Sequence, residues 1–341
     1  MKFLSAATGP TWVSTAASAS APKPENDKAA EMKAKLEQIF TEILVSENLM
    51  VLAGLGSSMC VKDAAGKSLA PTMGQLWELA KAETKDRFEE TKARVKYKAP
   101  PDGDNLEVLL SHCQLVCTLE PEDALVSGFI SDVEAVIVRA CRFVGDGIDL
   151  GYHKAFLRRV ARRSTRKPRM KLFTTNYDVC FERAASDISF IAVDGFSHTQ
   201  PQQFDGGHFN YDLVRRGLEG DAPDYIPNVF QLLKLHGSVD WERVDNQIAK
   251  TAEPKKPLII YPRLSKFESS YEQPFLEMMS RFQASLRQSN TGVLVIGFGF
   301  NDAHVAQPLL SALESNVNLK MVVVDPGLEA STNKTVGKLR R

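Results

Sequence analysis

Short apolar runs, too brief for helices, alternate along this chain with segments of helical spacing. That alternation constrains the fold more than any other feature. The runs fall at residues 50–53, 171–174, 189–193, 228–235, 257–261, 293–296 and 319–324. Apolar residues three and four apart mark helices from residue 27 to 44 and over 179–185, 273–287 and 303–313. Strands separated by helices predict a parallel sheet with helices on both faces, an α/β Rossmann-like class.

One gap breaks the rhythm. Residues 54–170 far exceed the dozen or so needed for a crossover between parallel strands. Helical spacing recurs at 75–84, 106–119, 121–143 and 153–163, which predicts a helical insertion at about residues 74–165. Residues 92–104 are charged and broken by Pro100, Pro101 and Gly103, and read as an exposed loop. Residues 195–226 mix Gly, Pro, Asp and His irregularly and read as a long loop. Residues 1–28, rich in Ala, Ser, Thr and Pro, read as a flexible tail ahead of one domain over 29–341. No internal repeat is visible.

Lys+Arg and Asp+Glu are both 42, so the formal net charge is zero. A dedicated nucleic-acid binder usually carries a basic excess, so nucleic acid is expected only indirectly if at all. A local basic run, Arg158, Arg159, Arg162, Arg163, Arg166, Lys167 and Arg169, is either a contact for an acidic partner or a solvated helix end. The five cysteines form no CxxC pair, which points to free thiols in a reducing compartment, hence the cytoplasm. No apolar run approaches the roughly 20 residues of a membrane span. Lys2 is the only early positive charge, and Gly9-Pro10-Thr11 interrupts the first apolar stretch, so no secretion signal is expected.

The residues just past each strand carry the chemistry. After the first strand comes Gly54-Leu55-Gly56-Ser57-Ser58, and after the second Thr175-Asn176-Tyr177-Asp178. After the fourth comes His236-Gly237-Ser238. After residue 296 comes Gly297-Phe298-Gly299-Phe300-Asn301-Asp302, and after the last strand Asp325-Pro326. Ligands of open parallel sheets bind at the carboxyl ends of the strands, so these loops are expected to meet on one edge. The Gly54–Gly56 turn could let a phosphate approach closely, or be only a glycine turn; Met59 stands where a dinucleotide fingerprint wants a third glycine. Asp178 and Asp302 precede helical segments and suit N-caps as well as ligand contacts. Asn176 suits a turn or a site, and His236 a core or a site. His198, His208 and His304 have no metal-ligand spacing, and no metal is expected.

The set GLGSS, LFTTNYD, LKLHGSVDW and LVIGFGFNDAH, in that order, resembles the sirtuin-like NAD-consuming domain of prokaryotic antiphage defence proteins. It is similar in particular to the one partnered with a HerA-type ATPase. The resemblance covers roughly residues 40–326. It implies catalytic roles for Asn176 and His236 and NAD contacts at Gly54, Gly56, Ser58, Thr175, Asp178, Gly297, Gly299, Asp302 and Asp325. The late glycine motif is expected beside the adenosine half. Paired zinc cysteines and the Pro-Asp-Phe-Arg string of the sirtuin deacetylases are missing, which favours NAD hydrolysis over peptide deacylation. A non-catalytic NAD or ADP-ribose sensor is the remaining alternative. Homo-oligomers and regulation by an ATPase partner are implied as well.

Overall fold

The computed structural model describes residues 2–4, 13–14, 23–101, 103–216, 224–261 and 272–340. Its main strands are β1 (Asn48–Ala53), β2 (Lys171–Thr174), β3 (Ile191–Val193), β4 (Val229–Lys234), β5 (Gly237–Val244), β6 (Gln247–Lys250), β7 (Pro257–Ile259), β8 (Thr291–Ile296) and β9 (Leu319–Val324). One six-stranded sheet, wholly parallel, runs in the order β9-β8-β1-β2-β4-β3. The helices are α1 (Lys23–Leu44), α2 (Met73–Thr84), α3 (Asp86–Arg94), α4 (Leu106–Leu119), α5 (Ala124–Cys141), α6 (Gly151–Phe156), α7 (Cys180–Asp187), α8 (Phe275–Leu286), α9 (Ala303–Ser315) and α10 (Lys334–Leu339).

Strand β1 lies inside the sheet and is apolar from Leu49 to Ala53 because both of its faces are covered. Successive side chains of a strand point to opposite faces. Met50 and Leu52 accordingly join Met278 and Phe282 of α8 and Val305 and Leu309 of α9 in one core. Leu49, Val51 and Ala53 join Ile43 of α1 and Phe181 and Ala184 of α7 in another. The chain is therefore an α/β protein with a Rossmann-like parallel sheet.

The helices between β1 and β2 build a third core around Trp77, Phe88 and Phe129. A capping box starts α2, in which Thr72 and Gln75 satisfy each other's backbone amides. This core includes Val239 of β5 and Ile259 of β7, so the helices rest against a second, antiparallel sheet, ordered β7-β5-β6 and then Gln202–Gln203.

The structure departs from several expectations. Of residues 257–261, Pro257–Ile259 forms β7, which belongs to the antiparallel sheet rather than the parallel one. Its partner β5 is joined to β6 by a two-residue turn at Asp245 and Asn246, with φ of +45° and +66°, the geometry that hairpins favour. Residues 195–226 are not a structureless loop: Phe196 and Phe209 are buried in the first core, and Val214–Arg215 pairs with Asp224–Tyr225. Residues 217–223 lie outside the described residues. Helix α3 reaches Arg94, Val95 is buried and Tyr97 lies against Trp77, so the front of 92–104 is packed. The helix expected at 153–163 is α6 followed by a π-helical turn, Leu157–Ala161. Of residues 1–22, Lys2–Phe3 pairs with Val13–Ser14, and most of the others lie outside the described residues. Among the described residues no helix is long and apolar enough to cross a membrane.

Candidate active site

Strands β2 and β4 are neighbours, with Thr174 opposite Lys234. Asn176 and His236 each stand two residues beyond that pair. Parallel register therefore brings their loops together at the carboxyl edge of the sheet. The two loops are laced to each other: Leu235 N–H donates to the Thr174 carbonyl at 2.8 Å and Val239 N–H to the Tyr177 carbonyl at 3.0 Å. Both side chains are buried, Asn176 with 8% and His236 with 8% of its surface exposed.

The amide of Asn176 is fixed in one orientation. Its Nδ2 donates to the Gly54 carbonyl at 3.0 Å and to Ser58 Oγ at 2.9 Å. Ser58 Oγ in turn donates to Asp178 Oδ2 at 2.8 Å, while Asp178 Oδ1 accepts from Cys180 N–H at the start of α7. A carbonyl only accepts, so the nitrogen of the amide must face Gly54. Asn176 Oδ1 accepts no hydrogen bond among the described residues and is left for a ligand.

His236 Nε2 lies 3.0 Å from Asp302 Oδ2. Asp302 Oδ1 also accepts from His304 N–H and caps α9. No hydrogen bond among the described residues involves His236 Nδ1. Asp302, expected beside the adenosine half, thus stands on the imidazole instead.

In the glycine turn the amides of Gly56 and Ser58 are already engaged. Gly56 N–H donates to the Gly297 carbonyl at 2.9 Å, and Ser58 N–H to the Leu55 carbonyl at 2.9 Å. Leu55–Ser57 forms a short 3₁₀ turn, with no α-helix directly behind it. The glycines serve loop contact: a Cβ on Gly54 would come within 2.7 Å of the Gly297 carbonyl oxygen, and one on Gly56 within 2.6 Å of Gly297 Cα. Gly297 itself has φ +59°, a conformation glycine adopts without cost. Ser58 is fully buried, so it holds Asn176 rather than touching a ligand.

Thr175 is half-buried on the same edge. Gly299 and Asp325 lie apart from the two catalytic candidates, lining a cavity of about 520 Å³ between residues 298–301 and 325–336. Asn333 ties its walls together, donating to Asn301 Oδ1 at 2.8 Å and to the Phe300 carbonyl at 3.3 Å. Among the described residues no group of three or more His, Cys, Asp or Glu could hold a metal ion.

A buried cation supports the site from below. Lys234, with 1% of its surface exposed, donates to the Asp178 carbonyl and pairs with Glu182 at 3.0 Å. Burial pushes the Glu182 carboxyl above its usual range and Lys234 pulls it partly back. Lysine inside the apolar run 228–235 is the sequence signal for this network, one that reading for periodicity passes over. His153, 3% exposed, lies behind the glycine turn with its ring against Phe181. Burial holds its pKa below the ordinary value, against the opposing pull of Asp178 and the Ser57 carbonyl.

No curated protein matches the chain. Among solved structures it is similar to cytosolic 5'-nucleotidase IIIB (cN-IIIB) bound to cytidine, at 12% identity and a TM-score of 0.31, over 89% of this chain and 83% of that one. So loose a likeness carries no argument. The family model of the SIR2-like domain matches residues 170–335. SIR2-like domains use NAD as a substrate. The matched stretch, just under half of the chain, carries Asn176, Asp178, His236, Gly297, Gly299, Asp302 and Asp325, and the glycine turn at 54–58 lies outside it.

Proposed function

We propose that the protein is an NAD⁺ hydrolase that cleaves the nicotinamide–ribose bond to give nicotinamide and ADP-ribose. The observation that carries this reading is the pair Asn176 and His236, both buried on loops that parallel register makes neighbours, with no hydrogen bond among the described residues to Asn176 Oδ1 or His236 Nδ1. Breaking that bond leaves its electron pair on nicotinamide, so no strong acid is needed. The demand is to orient one water, hold the ribose and take one proton. Asn176 Oδ1 accepts a hydrogen bond from the water or a ribose hydroxyl. His236 takes the proton of the attacking water. General-base help of this kind is worth about 10²–10⁴-fold. The cavity beside Gly299 and Asp325 has the size for an adenosine, with the Asp325 carboxylate within it for hydroxyl groups.

The same reading extends to biology through the resemblance alone: an antiphage effector in the cytoplasm that depletes NAD, assembled as a homo-oligomer and held in check or triggered by a HerA-type ATPase. The five cysteines, all free, suit a reducing compartment. Arg158, Arg159, Arg162 and Arg166 are exposed, and they form the surface best suited to an acidic partner face. Incubating the full chain with NAD⁺, alone and with the protein of the neighbouring gene, and resolving products by chromatography tests the reading. Nicotinamide and ADP-ribose in equal amounts are expected. An acylated ADP-ribose, formed only with an acyl-lysine peptide, would replace hydrolysis by deacylation. Tight NAD binding without turnover would make the chain a sensor.

A further inference from the structure

Strand β8, which leads to Asp302, and strand β4, which leads to His236, are separated in the sheet by β1 and β2. Adjacent strands lie about 4.8 Å apart, so the loop after β8 must cover roughly 14 Å to bring its carboxylate to the imidazole. It crosses directly over the glycine turn, with Gly297 and Phe298 against Gly54 and Gly56. Phe300, with 3% of its surface exposed, takes φ +58°, a conformation a bulky side chain rarely adopts and one that surrounding structure must enforce. Asn333 holds the loop from its other side. Capping α9 needs none of this path, since an aspartate placed before any helix can cap it.

We infer that Asp302 is a positioning residue that fixes the tautomer of His236, so that Nδ1 and not Nε2 is the atom that takes the proton. An ionised carboxylate only accepts hydrogen bonds, so the nitrogen beside it carries the hydrogen. The 3.0 Å contact between Asp302 Oδ2 and Nε2 is a close charge contact and not an aligned hydrogen bond, but a carboxylate oxygen that near repels a bare nitrogen lone pair, so Nε2 carries the hydrogen and the lone pair lies on Nδ1, the nitrogen with no hydrogen bond among the described residues. The second attachment of Asp302, Oδ1 to His304 N–H at 3.0 Å, anchors the carboxylate to α9 and so the ring to the scaffold. This inference rests on the hydrolase reading for its kinetic consequence but not for its tautomer.

The test uses the full chain labelled with ¹⁵N-histidine. Two-bond ¹H–¹⁵N spectra at pH 8 are recorded for wild type, for Asp302→Ser and for His236→Gln, the last to assign the His236 signals. Serine also caps helices, so Asp302→Ser removes the carboxylate while keeping a cap. The expected wild-type result is protonated Nε2 and bare Nδ1, with a tautomer mixture in Asp302→Ser. Nicotinamide release should fall roughly 10–100-fold in kcat, with KM for NAD and thermal stability nearly unchanged, because a misplaced reacting group is costly. Protonated Nδ1 in wild type would overturn the inference. So would a large rise in KM with kcat intact, which would make Asp302 a substrate contact. Should wild type release no nicotinamide, the hydrolase reading fails, and the spectra still judge the tautomer.

Discussion

Asn176 and Gly54, 122 residues apart in sequence, meet through a hydrogen bond of 3.0 Å from the asparagine amide to the glycine carbonyl. That contact ties β1 to β2 at the edge where their loops emerge. It also decides which end of the amide faces the site. The glycine turn, which the sequence leaves as either a phosphate approach or a plain turn, serves as a rest for Asn176 and a seat for the loop at 297–302.

Replacing Ser58 by alanine should therefore act on chemistry without touching a ligand. Its hydroxyl accepts from Asn176 and donates to Asp178, and both partners would be left short in a fully buried place. The expected loss of stability is about 1–3 kcal/mol. Nicotinamide release should drop about tenfold to a hundredfold, because a small displacement of a positioning group is costly. Denaturant unfolding and steady-state kinetics on the same sample check both.

Gly56→Ala should disturb the site through packing alone. Its new methyl would approach Gly297 Cα to 2.6 Å, and backbone cannot swing aside as a flexible side chain can. Overpacking of this kind costs about 1–3 kcal/mol. Gly74→Ala, where a Cβ meets nothing within 4 Å, is the control and should leave stability and turnover near wild type. Thermal melts separate the two.

Stability should fall on mild acidification, in part through His153. Burial lowers its folded pKa below the unfolded value of about 6.5, so the folded state favours the neutral ring. The contribution is complete above pH 6.5. Below it the unfolded chain binds a proton that the folded chain refuses, and stability is lost until the folded pKa is reached, with a slope of at most about 1.4 kcal/mol per pH unit. His153→Phe should flatten that part of the profile. Urea unfolding between pH 5 and 7.5 on both proteins measures the difference.

Periodicity is enough to foresee the parallel sheet, because strands buried on both faces are short apolar runs and their helices keep one apolar face. It does not foresee the hairpin at Asp245–Asn246, whose turn residues sit between strands carrying charges such as Glu242, Arg243 and Lys250. Nor does it foresee Phe196, Phe204 and Phe209 as packing anchors inside what reads as loop. Within the site, residue types after each strand point to the edge that carries Asn176 and His236, since loops at one end of a parallel sheet converge. Which atoms face a ligand is not legible. That depends on hydrogen bonds between segments more than a hundred residues apart, such as Asn176 with Ser58, and on a loop that crosses two strands to put Asp302 on His236.

The most direct measurement compares nicotinamide release in a single turnover by wild type, Asn176→Ala and His236→Ala, alongside NAD binding and melting temperature. Joint action of the two side chains on one nicotinamide riboside predicts that each variant folds and binds NAD yet loses release by at least about 10²-fold, the low end of what a general base supplies. Release at the wild-type rate by either folded variant would contradict it.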